Sequence, residues 1–343
     1  MILFSKKLKK DGFALKFASN ELRNNKNIII RALKYDECCD LNNWELFFTS
    51  SKIDISFLEY MSDELKNNIE FFKEIIKINS HVIEYASSHI KDNYDIILEV
   101  VKANGTNLNY ASDRLKKDYF ICIEAIKNNI EACLYISSIF KEDINFAFES
   151  IKINSYSLEF FSNDIKNNLK IVKEAVNNNG LCLKFASNEL KNNMDIVETA
   201  INNNPYSYKY LSNEIKSDYN LALKVVKLKG NILKYLSYEM RSDFNIVIEA
   251  IKNCYNPYII YYISNELKDN YEIIMEAVKK NGYCIKYASD NLKKNKEICL
   301  EAIKSNKYAL MFIDKNIIPL IHLEPSLEPY QDDLFPSNNS HQS

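Results

Sequence analysis

Leu183-Lys184-Phe185-Ala186-Ser187-Asn188-Glu189-Leu190-Lys191-Asn192-Asn193-Met194-Asp195-Ile196-Val197-Glu198-Thr199-Ala200-Ile201 is one division of a ruler that runs along the chain. Its apolar residues fall three, four or seven apart, the spacing of one helix face and not the alternation of a strand. A serine flanked by an aromatic and a small or apolar residue marks each division: Ser19, Ser62, Ser87, Ser112, Ser137, Ser162, Ser187, Ser212, Ser237, Ser264 and Ser289. From Ser62 to Ser237 every step is 25 residues; one later step is 27, and the first gap carries 18 extra. A fixed period of this size belongs to a repeat array, in which each unit buries its apolar face only against its neighbours. The expected fold is an all-α solenoid of about twelve short two-helix repeats.

Within a unit, the first helix is expected to run up to the marker serine, which closes it or caps a short turn. The second begins after an Asn or Asp six residues beyond the serine, a column filled in all eleven marked units, from Asn25 to Asn295. Such residues cap a helix by accepting a bond from an orphaned backbone N–H, at ~1 kcal/mol each. The second helix often ends at Asn-Gly, as at Asn104-Gly105, Asn179-Gly180 and Asn281-Gly282. Glycine there is expected to supply a left-handed terminating residue. A column of small residues thirteen past the serine, with Ala125, Ala200, Ala277 and Ala302 among them, points to a close helix crossing.

The array is expected to occupy 1–322 as a single solenoid, with residues 1–10 as the second helix of a truncated unit. An irregular insert at about 35–57 holds the single tryptophan, Trp44. It reads as a degenerate unit, an inserted loop or an amphipathic helix laid on the array. Asp314 stands where a twelfth serine is expected, and the pattern ends at Pro319. Residues 323–343, with Pro325, Pro329, Pro336 and four acids, read as a disordered acidic tail.

The motif Phe185-Ala186-Ser187-Asn188-Glu189-Leu190-Lys191, leading into Ile196-Val197 and Ala200, resembles the repeat family catalogued as domain of unknown function 4116. Tyr110-Ala111-Ser112-Asp113-Arg114-Leu115-Lys116-Lys117-Asp118 and Tyr287-Ala288-Ser289 echo the same pattern. The resemblance covers about 12–313, without the irregular stretch near 35–57. It implies helical repeats and no activity. The unit at Tyr135-Ile136-Ser137-Ser138-Ile139-Phe140 departs from the pattern but keeps its hydrophobic phase.

Composition narrows the function classes. Forty-four basic residues against 46 acidic ones leave no global field to attract nucleic acid or an anionic membrane. The opening Met1-Ile2-Leu3-Phe4 is too short for a signal peptide's apolar region, and no stretch nears the roughly 20 apolar residues of a membrane span. The chain therefore reads as cytoplasmic. Eight cysteines include no C-x-x-C; Cys122 shares a phase with Cys299, and Cys182 with Cys284, as core thiols do. His81, His89, His322 and His341 have no ligands at metal spacing around them. No phosphate-cradling glycine loop or nucleophile elbow occurs. No catalytic, cofactor or metal residue is expected, and the chain reads as non-catalytic.

Three columns remain as candidate surfaces. A base sits four residues after each serine: Arg23, Lys66, Lys91, Lys116, Lys141, Lys166, Lys191, Lys216, Arg241, Lys268 and Lys293. As a ladder, these could track a phosphate backbone, although rungs about 10 Å apart are sparse beside duplex DNA. Twelve residues after most serines stands an acid, Glu74, Glu99, Glu124, Glu149, Glu174, Glu249, Glu276 or Glu301, which can neutralise the bases. Tyr or Phe two before each serine reads as core or rim packing more than as a base-stacking platform. The leading expectation is an intracellular protein-interaction scaffold with unknown protein partners. A nucleic-acid binder using the Lys/Arg column is the alternative.

Overall fold

The structure, a computed structural model, describes residues 12–34 and 55–322. These fall into two compact units that divide between Ala175 and Val176. The fold is all-α and of the repeat-solenoid kind; every element among the described residues is helical. Residues 1–10, Trp44, Cys38, Cys39 and the 323–343 tail lie outside the described residues.

Each repeat contains the two expected helices and a third segment between them. In the repeat of Ser112, a 3-10 helix spans Gly105–Tyr110, a single 3-10 turn spans Leu115–Lys117, and an α-helix spans Tyr119–Asn128. The middle segment is likewise a 3-10 turn at Leu190–Asn192 and Leu292–Lys294, and a short α-helix in the other repeats, as at Asn163–Lys166 and Asn213–Lys216. The Asn/Asp column caps the long helix in all eleven repeats, the side chain accepting from the N–H three residues on. Within each compact unit, 3-10 helices stack on 3-10 helices and long helices on long helices, as Tyr94–Ala103 does on Tyr119–Asn128. The core between the two layers is continuous: Leu108, Leu115, Ile121, Cys122 and Ala125 are fully enclosed, and their counterparts recur repeat after repeat. Ten-residue helices are marginal alone in water, so stacking is what holds them.

The marker serine is an inter-repeat joint. Ser112 N–H donates to the Lys91 carbonyl of the preceding repeat at 2.9 Å. Its hydroxyl donates to the Asp92 carboxylate and accepts from Leu115 N–H at 3.3 Å. Ser87 repeats the arrangement on Lys66 and Asn67, with the hydroxyl 2.8 Å from Asn67 Oδ1. Asp314 keeps the backbone bond, to Lys293, and so holds the twelfth serine position. Ser137 keeps its bond to Lys116 but makes no side-chain cap. There Phe140 occupies the leucine position and stacks on Phe146, ring centroids 4.3 Å apart.

Two expectations need correction, the left-handed glycines and the far bound of the insert. Gly105, Gly180, Gly230 and Gly282 do not lie in the left-handed region. The helix stops because the residue before each glycine is extended, as at Asn104, with φ −152°. Asn104 then caps the next 3-10 helix by accepting from Thr106 N–H. Glycine is required by close approach: a Cβ on Gly180 would overlap the Ala200 carbonyl oxygen, and one on Gly282 that of Ala302. Proline fits a helix's first turn, and Pro319 lies inside the helix Ile318–His322, which buries Ile321. The irregular insert does not extend to 57, since Ser56–Tyr60 is an ordinary 3-10 helix with Phe57 and Leu58 in the core.

Candidate interaction surface

All eleven members of the basic column are half-buried. The short helix turns the chain back toward its own 3-10 helix, and the charged ends of Arg23, Lys66, Lys91 and Lys216 cap that helix's carbonyls. Lys66 Nζ donates to the Glu59 carbonyl at 2.7 Å, Lys91 to Glu84 at 2.7 Å and Lys216 to Lys209 at 2.9 Å. Arg23 does the same to Lys16. Burial holds the ammonium groups of Lys91, Lys191 and Lys216 below the ordinary lysine value, with nearby Glu84 pulling Lys91 partly back. Lys116, Lys141, Lys166, Lys268 and Lys293 occupy the same half-buried position. Arg241 differs, donating at 2.9 Å to the Tyr262 carbonyl of the next repeat.

The acidic column does not pair with this ladder in the ion pairs seen. Glu124 binds Lys127 at 2.6 Å and Glu249 binds Lys252 at 3.1 Å, each one turn along its own helix. Exposed pairs of this kind are worth a few tenths of a kcal/mol. The aromatic column is half-buried at the rim apart from Phe17, which is exposed. Its phenols reach polar partners, as Tyr110 does Glu84 at 3.2 Å.

A column missed in the sequence lies sixteen residues after the serine. Asn128 Oδ1 accepts from Gly105 N–H at 2.8 Å, while its amide donates to the Lys102 carbonyl at 2.9 Å. Asn203 joins Gly180 to Asn177 in the same way, both bonds 2.7 Å. Its sequence signal was the Asn-Asn run at 202–204, which also fits a bare helix stop.

What remains exposed is the outer side of the 3-10 helices. Positions three and six before the serine share a side because residues i and i+3 eclipse in a 3-10 helix. In the unit ending at Ala175, position three presents Lys16, Glu59, Glu84, Asn109, Leu134 and Glu159. In the unit starting at Val176 it presents Lys209, Lys234, Tyr261 and Lys286, with Lys184 half-buried. The lysines lie over the neighbouring aromatic column: Lys184 is 4.2 Å from the Phe185 ring centroid, Lys209 4.6 Å from Tyr210 and Lys234 4.8 Å from Tyr235. Tyr258, Tyr261, Tyr308 and Met311 are 53, 62, 61 and 71 % exposed. A cavity of about 230 Å³ opens on the same side, lined by Tyr206, Asn231, Lys234, Asn256 and Tyr262 among others.

No group of His, Cys, Asp and Glu among the described residues is arranged to hold a metal. Six described cysteines are free and buried. Burial pushes Cys122, Cys133, Cys284 and Cys299 up to about 12, so they persist as thiols. His81 lies 3.2 Å from the Asn104 amide, and His89 is exposed. No described helix is long and apolar enough to cross a membrane.

The profile of the family described as domain of unknown function (DUF4116) matches residues 4–39, 43–91, 93–141, 121–166, 143–186, 168–216, 218–268, 254–292 and 270–318. The chain belongs to this family. The matches also reach into the 35–57 stretch, leaving only 40–42 of it uncovered, so the resemblance extends further than the motifs alone indicated. Neither the curated proteins nor the solved structures contain a match to the chain.

Proposed function

We propose that this member of the DUF4116 family is a non-catalytic, cytoplasmic protein-interaction scaffold whose binding surface is the outer side of its 3-10 helices. The observation that carries the reading is a division of labour between columns. Residues that recur are spent inside the array where their bonds are seen: Ser112 on a neighbouring repeat, Lys91 on a carbonyl, Asn93 on a helix end. The residues three before the serine vary and face solvent in most repeats, where variation can encode a partner. Repeat arrays bind proteins along such extended surfaces, which supports the reading by analogy of architecture. No resident cofactor is part of it.

Affinity capture of the full chain from its native lysate, with and without nuclease, tests the proposal. The expected result is a stoichiometric protein that survives nuclease and is lost from a Lys209→Ser, Lys234→Ser, Tyr258→Ser variant. Retention of nucleic acid alone, abolished instead by Lys116→Glu with Lys141→Glu and Lys166→Glu, would overturn it in favour of the basic ladder.

A further inference from the structure

Beyond Lys16 in the first marked repeat, the position three residues before the marker serine changes sign between the two compact units. Glu59, Glu84 and Glu159 are exposed there in the first; Lys209, Lys234 and Lys286 are exposed there in the second. From this we infer that the 3-10 face of the first unit pairs with the 3-10 face of the second unit of another copy of this chain. The inference rests on reading that face as the binding surface, and it names the occupant.

Three observations support a second copy over an unrelated partner. The two charge sets occupy the same structural position, so they project from their 3-10 helices in the same way. Both are carried on the repeat, and each has two rungs 25 residues apart, so Glu59 and Glu84 can engage Lys209 and Lys234 in one register. Exposed ion pairs are individually weak, and only a ladder in register makes them count. The lysine side also carries what an interface core needs: the exposed Tyr258, Tyr261, Tyr308 and Met311 are residue types enriched in protein contacts. The aromatic rings under Lys209 and Lys234 hold those ammonium groups near one position, which lessens the entropy lost on pairing. Each copy carries both an acidic and a basic face, so the contact needs no second kind of chain.

Sedimentation equilibrium of the full chain tests this at roughly 50 mM salt and again at about 1 M, where the Debye length is only ~3 Å. At low salt the expected mass is twice 40.0 kDa, falling to 40.0 kDa at high salt. A Glu59→Lys, Glu84→Lys, Glu159→Lys variant and a Lys209→Glu, Lys234→Glu, Lys286→Glu variant are each expected to be monomeric. Their equimolar mixture is expected to recover the doubled mass, because one chain is then basic and the other acidic on both faces. Should either reversed chain lose its far-UV helix signal, Glu→Gln and Lys→Gln sets at the same positions carry the same comparison of masses against wild type. A wild-type mass of 40.0 kDa at low salt, or variants that keep the doubled mass, would overturn self-pairing. A monomer that still captures a protein through Lys209, Lys234 and Tyr258 would leave the scaffold reading standing alone.

Discussion

The joints after Asn203 and after Asn253 solve the same problem with different spacing. At the first, the helix Met194–Asn203 ends, Asn204 caps the next 3-10 helix, and Pro205 opens it. At the second, Cys254 and Tyr255 are inserted between Asn253 and Asn256, and Pro257 opens the 3-10 helix. The long helix Phe244–Lys252 loses a residue from its end. Asn203 bridges Gly180 and Asn177, whereas the Asn253 amide folds back on the Glu249 carbonyl and its own carbonyl accepts from Gly230. The inter-repeat bond survives, Ser264 N–H reaching the Arg241 carbonyl at 3.3 Å. Arginine supplies an additional bond there, to Tyr262, and the 230 Å³ cavity opens beside it. Arg23 stands before the other irregular step, so both departures from the period replace lysine by the residue with more donors. The array tolerates a change of length where side chains can re-form the joint.

The largest contrast should come from shortening each joint by two. Removing Cys254 and Tyr255 recreates the Asn-Asn-Pro order of the regular joint, and the chain should unfold cooperatively with a thermal midpoint within a few degrees of wild type. Removing Asn203 and Asn204 takes away the bridge and the cap together, at a cost of about 4 kcal/mol or more. Urea unfolding of both reads the difference, and equal losses would break the comparison.

Adding a Cβ should separate the joints next. Gly180→Ala forces backbone apart at the Ala200 carbonyl and should cost about 1–3 kcal/mol. Pro257→Ala, at the same position of the irregular joint, should stay within ~1 kcal/mol, an effect of unfolded-chain entropy. Smaller again, Ser112→Ala should lose about 1–2 kcal/mol with its cap and its bond to Asp92. Ser137→Ala, where no cap bond exists, should lose only a few tenths, within the range of ordinary surface changes.

The smallest effect is in thiol chemistry. Burial raises both Cys122 and Cys254, but the Asn256 backbone, Lys280 and Lys229 draw Cys254 back toward its ordinary value. Peptide-mapped alkylation of the native chain at mildly alkaline pH should therefore label Cys254 before Cys122. For Cys122 the sign is definite: the folded value, about 12, lies above the unfolded one of roughly 8.5. Its contribution to stability is full below the unfolded value and declines as pH rises toward about 12. Across that window the urea midpoint of wild type should fall further than that of a Cys122→Ala variant, and equal falls would show that Cys122 is not enclosed.

The period of Ser62 to Ser237, the cap column from Asn25 to Asn295 and the apolar phase of Ile196, Val197 and Ala200 were legible because they are local. A helix start or an amphipathic face involves residues three, four or seven apart, and a chain read in order shows those spacings directly. The candidate surface was legible only in part. The basic column stood out because it repeats, and Arg23, Lys66, Lys91 and Lys216 cap carbonyls seven residues behind. The exposed column three before the serine carried no signal, because its residues differ from repeat to repeat.

By itself, then, the sequence determined the class of fold, the length of the unit and which positions lie inside. Tertiary structure decided what Gly180, Ser112 and Asn203 are for. Each answers to a group carried close by folding: the Ala200 carbonyl for glycine, the Lys91 carbonyl for serine, and the Gly180 amide for Asn203. Those partners lie 20 to 23 residues away along the chain, a separation at which no helical spacing indicates who faces whom. Only stacking of one repeat upon the next places donor against acceptor, because contact between repeats depends on how the layers close and not on the order of residues within one.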